Sequence, residues 1–228
     1  CDHENRRGYS GTAVFTSRRP QYASFGFNDS DPPDTEGRVI TLTFKDVAVI
    51  CCYSPSIGTP DNLIRLKYRL DFDARLAKLA AKIRLTMPII LCGDFNVSHT
   101  DSDCPDLALP KPVLYATRSV AEREGFDKII SCAKVKDCHP VVTGKAQYSW
   151  FPEPTLRSQR GDIGLRLDYI ISLIEFSVLM FDTLQNVLYS DHRPLIATLR
   201  NRPLISESAR LPSQAFLGSF CNTLAVPK

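Results

Sequence analysis

The sequence predicts an α+β or layered α/β protein with mixed sheets. Strand-like apolar runs outnumber helical ones, several follow one another at hairpin spacing, and only two or three stretches show helical periodicity. At 228 residues the chain has room for one large domain or two small ones.

The elements follow in chain order. Residues 1–7 are polar and charged and read as a ragged N-terminal end. Gly8-Tyr-Ser-Gly11 is a turn into Thr12–Ser17, whose β-branched content predicts a strand. Tyr22–Phe27 is a second candidate strand, and Asn28–Gly37 is a loop. Arg38–Phe44 and Val47–Tyr53 are strong strand candidates joined by a hairpin at Lys45-Asp46. After a loop, Asp61 is placed to cap a helix running from Leu63 to about Leu85. Its apolar residues recur at 63, 66, 70, 72, 76, 79 and 83, with basic residues on the other faces. Pro88 closes that segment, and Ile89 to Leu91 opens a buried strand. Asp101–Pro112 is a loop, Ala121–Ser131 a helix, and Lys134–Ala146 irregular. An aromatic loop, Tyr148–Pro154, and a basic Gly-containing loop, Arg157–Gly164, precede strands at Leu167–Leu173, Phe176–Val187 and Leu195–Leu199. Residues 201–228 read as a surface tail.

The net charge of +3 does not by itself declare a nucleic-acid partner. Lys and Arg are nonetheless concentrated between Arg65 and Arg84 and between Arg157 and Arg166. The 8 cysteines form no CxxC pair, and Cys51, Cys52 and Cys92 lie in strand-like runs as buried thiols do. A reducing intracellular compartment without a zinc site is expected. No apolar run is long enough to span a bilayer, so no membrane partner is expected.

Three segments share one layout, an apolar strand ending in polar residues able to bind metal or phosphate. They are Gly93-Asp94-Phe95-Asn96, Arg166-Leu167-Asp168-Tyr169 and Ser190-Asp191-His192-Arg193-Pro194. In extended backbone Asp94 and Asn96 would share a face, where a carboxylate and an amide suit a hard divalent cation or an incoming water. A turn capped by Asp and Asn is the competing account. Asp168 is placed to hold the His192 imidazole cationic beside a phosphate, or else to pair with Arg166 as a structural ion pair.

In order along the chain, Gly8-Tyr-Ser-Gly-Thr-Ala13, Tyr53-Ser-Pro-Ser56, Arg65-Leu-Lys-Tyr-Arg69, Leu91-Cys-Gly-Asp-Phe-Asn-Val97, Arg166-Leu-Asp-Tyr169 and Ser190-Asp-His192 form a set. With it the chain resembles the exonuclease III class of apurinic/apyrimidinic endonucleases, in the endonuclease/exonuclease/phosphatase superfamily. The resemblance covers residues 8–200, taken as the nuclease domain, and implies a four-layered sandwich of two mixed β-sheets flanked by helices. It implies a Mg²⁺- or Mn²⁺-dependent phosphodiesterase that cuts double-stranded DNA 5′ to abasic sites as a monomer, nuclear if the source is eukaryotic, with mitochondria or cytoplasm as alternatives. A 3′→5′ exonuclease or 3′-phosphodiesterase activity fits the same site.

Carried over by resemblance, Asp94 orients or deprotonates the attacking water and Asn96 supports it. Tyr53 contacts the phosphate or leaving oxygen, and His192, held by Asp168, donates to a non-bridging oxygen. Asp94, Asn96, Asp191 and His192 form the metal region. Ser56, Arg65, Arg69, Trp150 and Leu165 fall at substrate-binding positions, the last two with Phe151 around the abasic sugar. Ser56 stands where the family has Asn, and Leu165 where it has Trp. The interval around Thr117–Phe126 is longer than the family's.

The family pattern also begins with an Asn-bearing strand and a Glu-bearing strand that these residues do not contain, and Glu4 lies too close to Gly8 to stand in. The expectation is therefore a fragment of a longer enzyme incomplete at its N-terminus, or a truncated paralogue of little activity. The rival functions are a non-catalytic DNA-binding module and another phosphohydrolase of the superfamily.

Overall fold

The structure is a computed structural model that describes residues 9–27, 35–59, 61–104, 117–140, 148–151 and 164–201. The expectations for residues 1–7, for most of Arg157–Gly164 and for the tail beyond 201 lie outside the described residues.

A six-stranded mixed sheet organises the chain. Strands β1 (Tyr22–Phe25), β2 (Val39–Thr43) and β3 (Ala48–Tyr53) run as an antiparallel meander. The predicted hairpin at Lys45-Asp46 is present, closed by the Phe44 N–H donating to the Val47 carbonyl at 2.9 Å. Helix α1 (Leu63–Arg84) then carries the chain across to β4 (Ile89–Asp94), which lies parallel to β3. A parallel partner requires such a crossover, because two strands pointing the same way cannot be joined by a tight turn. Helix α2 (Val120–Ala133), β5 (Val135–Asp137) and β6 (Asp168–Leu173) complete this part, with β6 antiparallel to both β4 and β5. The spatial order is β1-β2-β3-β4-β6-β5. Strands β7 (Phe176–Thr183) and β8 (Leu195–Asn201) form a separate antiparallel pair with an irregularity between Val178 and Met180.

The second sheet is an antiparallel ribbon among the described residues, and with the six-stranded mixed sheet and the helices it makes the layered α/β architecture expected. Three local expectations change. Thr12–Ser17 forms no strand, despite its β-branched residues, because no strand among the described residues pairs with it. Val135–Asp137, read as irregular, is strand β5, recruited by pairing with β6. The α1 cap is Asn62 rather than Asp61, its side chain accepting from the Arg65 N–H at 3.0 Å. The second helix starts in a capping box, with Ser119 and Glu122 each satisfying the other's orphan N–H.

Residues of β2, β3, β4 and β6 are buried in succession rather than alternately, so both faces of the central sheet are covered. One core joins Phe72, Leu76 and Ala80 of α1, Phe126 and Ile129 of α2, the strand residues, and Phe176, Leu195 and Leu199 of the ribbon. Phe126 packs edge-on to Phe95 and tilted on Tyr169, with ring centroids 5.2 and 4.7 Å away. That cluster fixes the chain where β4 ends. The buried face of α1 also includes Arg69 and Asp73, which hydrophobic periodicity had placed outside.

Candidate active site

Strand register assembles the site. Tyr53 at the end of β3 is the register partner of Asp94 at the end of β4, and Asp94 is the partner of Asp168 at the start of β6. Partners across adjacent strands project to the same side with Cβ atoms about 5 Å apart. One phenol and two carboxylates thus stand abreast at one sheet rim. The strands can approach this closely because Gly93, at φ +139, precedes Asp94; a Cβ there would meet the Cys52 carbonyl oxygen at 1.9 Å.

Asn96 joins Asp94 through a turn, the second of the two accounts the sequence left open, and not through strand alternation. Strand β4 stops at Asp94, and Asn96 takes a left-handed conformation at φ 46. Asn tolerates this better than most residues. Its backbone N–H donates to Asp94 Oδ1 at 2.8 Å and its Nδ2 to Asp94 Oδ2 at 3.1 Å, so a turn brings the two together. Asn96 Nδ2 also donates to the Ser54 carbonyl at 2.8 Å, which ties the β3 and β4 ends to each other.

His192 arrives from the loop between β7 and β8. Its Nδ1 lies 2.8 Å from Asp168 Oδ2, while its ring keeps 24% exposure. Ser149 Oγ accepts the Leu167 and Asp168 N–H groups, each at 3.0 Å, and so fixes the strand that carries the acid. Burial pulls the imidazole pKa down, but the charge of Asp168 and its hydrogen bond, with the charges of Asp94 and Asp191, overcome it and raise the pKa to about 10. Burial first, then the Asp168 charge, pushes the Asp94 carboxyl up to about 7, against the pull of His192 and the Asn96 N–H. Burial and the Asp94 charge also push the Tyr53 phenol up.

The remaining expected residues divide. Trp150 bridges to both Leu165 and His192 through the backbone, so the two positions expected around the sugar lie next to His192 in the fold. Trp150 Nε1 donates to Asp191 Oδ2 at 3.1 Å, giving the exposed acid a fixed orientation. Ser56 Oγ accepts from the Gly58 N–H, and Arg65 reaches back to the Ser56 carbonyl at 3.1 Å and to the Tyr9 hydroxyl. Arg65 remains partly exposed.

Arg69 does not sit where substrate could touch it. Its side chain is 0% exposed and all three guanidinium nitrogens are engaged inside the protein. The substrate-binding expectation for Arg69 is corrected on that ground. His192 Nδ1 is taken up by Asp168 at 2.8 Å, which leaves Nε2 as the ring nitrogen available to a cation or a phosphate oxygen.

Sequence reasoning missed Arg38, whose guanidinium lies 4.6 Å over the Tyr53 ring and donates to the Tyr53 carbonyl at 3.1 Å. Glu36 pairs with Arg38, and Tyr9 stacks beneath it at 5.5 Å. The only signal available was a Glu-Gly-Arg run ahead of a strand, which says nothing about a tyrosine fifteen residues on.

A metal would meet hard oxygen donors here: the Asp94 carboxylate, the Asn96 amide and the Asp191 carboxylate. Among the described residues no three or more His, Cys, Asp or Glu side chains are grouped as a closed cage. One or two carboxylates with an amide are a donor set that suits a hard divalent cation, whose shell water and substrate phosphate complete.

Comparison with known proteins agrees with this architecture. The chain belongs to the Endonuclease/Exonuclease/phosphatase family, which matches residues 1–212. Within that family its relatives place it in the exonuclease III class. It is 33% identical over 200 residues to the exodeoxyribonuclease of Bacillus subtilis, covering 83% of this chain and 74% of that one. It is 32% identical over 203 residues to a DNA-(apurinic or apyrimidinic site) endonuclease of Dictyostelium discoideum, covering 84% of this chain and 53% of that protein. Among solved structures, the 3′ phosphatase NExo from Neisseria bound to a product DNA hairpin superposes with a TM-score of 0.67 at 27% identity, over 80% of this chain and 72% of that chain. The Xenopus laevis APE2 catalytic domain shares the fold, with a TM-score of 0.65 at 21% identity over 89% of this chain and 70% of that one. Nucleases of this family are divalent-metal dependent.

Proposed function

We propose that this chain is the phosphodiester-cleaving part of a DNA-repair hydrolase that incises duplex DNA 5′ to an abasic site and leaves a 3′-hydroxyl. A 3′→5′ exonuclease or 3′-phosphodiesterase activity uses the same groups. The observation that carries the reading is the row Tyr53–Asp94–Asp168 at one strand rim, with His192 held by Asp168 at 2.8 Å.

Cleaving a phosphodiester requires an aligned water, neutralised charge on the non-bridging oxygens and a stabilised leaving oxygen. Asp94 accepts the proton of the attacking water, and a pKa near 7 suits a base that works near neutrality. Asn96, hydrogen-bonded to both Asp94 oxygens, holds that carboxylate in one orientation. His192 remains cationic through neutral pH and donates from Nε2 to a non-bridging oxygen. Tyr53, braced by Arg38, contacts the phosphate or leaving oxygen. Asp94, Asn96 and Asp191 would hold Mg²⁺ or Mn²⁺, which supplies Lewis acidity at the phosphate when bound. Trp150, partly buried, lines the sugar recess and is backed by Leu165, which is fully buried behind it and touches no substrate. The recess admits a bare deoxyribose and refuses an intact base by size.

Phosphate contacts from Arg65 and its basic neighbours give most of the affinity, so binding weakens with salt. The described cysteines are free thiols, and five of those six are buried, which suits a reducing compartment such as a eukaryotic nucleus. No helix among the described residues is long and apolar enough to cross a membrane.

The test is incision of an abasic-site duplex in Mg²⁺ by the parent chain, Asp94→Ala and His192→Ala, with circular dichroism as a check on folding. Each variant should lose at least roughly 100-fold in kcat, the usual scale for a positioned acid, base or oxyanion donor. Near-normal incision by either one sinks the assignment.

A further inference from the structure

Arg69 is buried deeper than any other cation near the site, and its partners are mainly backbone. NH2 donates to the Phe95 carbonyl at 2.7 Å. NH1 donates to the Pro55 carbonyl at 3.1 Å and the Asn96 carbonyl at 3.2 Å. Nε donates to Asp73 Oδ2 at 2.8 Å, an i,i+4 pair on α1, and Glu122 of α2 stands 4.0 Å from NH1. One planar group thus spans the segment after Tyr53, the segment after Asp94 and both helices.

These two segments are the ones that chemistry needs fixed. Phe95 and Asn96 follow Asp94 directly, and Pro55 follows Tyr53-Ser54. The β3–β4 ladder ends where the Ser54 N–H donates to the Asp94 carbonyl at 2.8 Å, and the β4 side goes one rung further, the Phe95 N–H donating to the Leu167 carbonyl at 2.9 Å. The Pro55, Phe95 and Asn96 carbonyls are the ones Arg69 takes up. Past the ladder, Asn96 must keep its left-handed φ for its amide to return to Asp94. The Arg69 fork satisfies the carbonyls on either side of that turn. A lysine in its place carries charge but is a point donor, and it cannot present five N–H groups in one plane.

We propose that Arg69 is a positioning residue for catalysis. It sets the mutual placement of Tyr53 and the Asp94–Asn96 turn while touching neither DNA nor metal. The proposal rests on the active-site reading above, and a second readout keeps the two separable.

Arg69→Lys and Asp73→Asn are the variants, the second being the milder because it frees only the Nε side of the fork. Incision is measured per folded molecule at saturating abasic duplex. Affinity is measured for the uncleaved duplex in EDTA. The Asn96 side-chain amide is followed by ¹⁵N NMR, assigned by its loss in Asn96→Asp. Arg69→Lys should lower kcat roughly 100-fold, the scale of a 1 Å misplacement. Affinity should stay unchanged, and the Asn96 amide should broaden and exchange faster. Asp73→Asn should move kcat and the amide in the same direction by less.

The proposal is overturned if the variants that fold keep the parent kcat per folded molecule and an undisturbed Asn96 amide. A parent chain that does not incise sinks the functional reading instead. The Asn96 amide then decides the positioning claim by itself.

Discussion

Replacing Gly93 by alanine tests the strand register on which the site depends. A Cβ at this position would lie 1.9 Å from the Cys52 carbonyl oxygen and 2.9 Å from its carbonyl carbon, where real Cβ contacts essentially never fall under 3.0 Å. Strand β4 must therefore back away from β3 by about 1 Å, one residue before the Tyr53–Asp94 pair. Two costs combine, roughly 1–2 kcal/mol for an L-residue in positive-φ backbone and roughly 1–3 kcal/mol for overpacking. Their sum, about 2–5 kcal/mol, lowers the melting temperature by roughly 10 °C for a chain of this size. The rate should fall about 100-fold through displacement of Asp94.

Gly58→Ala separates the two costs, because Gly58 is also at positive φ, +75, but has nothing within 4 Å of its Cβ position. That variant should show the conformational cost alone and incise normally. Differential scanning calorimetry and incision kinetics on both proteins make the comparison. If Gly93→Ala melts with Gly58→Ala and cuts at the parent rate, the close approach of β3 and β4 is not what holds the site.

Two further predictions concern charge. His192 stands at about 10 because Asp168 outweighs the downward effect of burial, so Asp168→Asn should return the ring to 6.5 or below, leaving about 3% or less cationic at pH 8. Incision by the variant should then fall away as pH rises toward 8, while the parent gains rate as Asp94 loses its proton near 7 and keeps it to pH 8, and superimposable pH profiles would refute the pairing. Burial raises Glu122 from 4.5 to about 7, against the opposing Arg69 charge and Ser119 bonds, so the unfolded chain releases that proton first and the native state loses stability as pH climbs between those values. Relative to the parent, Glu122→Gln should gain roughly 3 kcal/mol between pH 4.5 and 8 in urea titrations; parallel stability curves would show that Glu122 ionises freely in the native state.

The β2–β3 hairpin, α1 and β4 were legible because continuous apolar runs, helical spacing and a closing Pro88 are local signals. For Asp94 and Asn96 the sequence left extended alternation and a capped turn both open, and a left-handed Asn96 turn is what brings them together. Strand β5 and the unpaired Thr12–Ser17 went the other way, since a strand needs a partner and local composition does not name one. Arg38 and Ser149 had no signature at all, because their roles are hydrogen bonds and ring contacts with residues far along the chain.

By itself the sequence determined which chemical groups stand at the ends of which strands: a phenol, two carboxylates, an amide and an imidazole, in the order that marks the family. Tertiary structure alone decided that Tyr53, Asp94 and Asp168 lie abreast and that Arg69 faces inward. Register and burial come from contacts between distant segments. A charged side chain turns inward only where distant carbonyls and carboxylates happen to meet its donors, and no local pattern encodes that meeting.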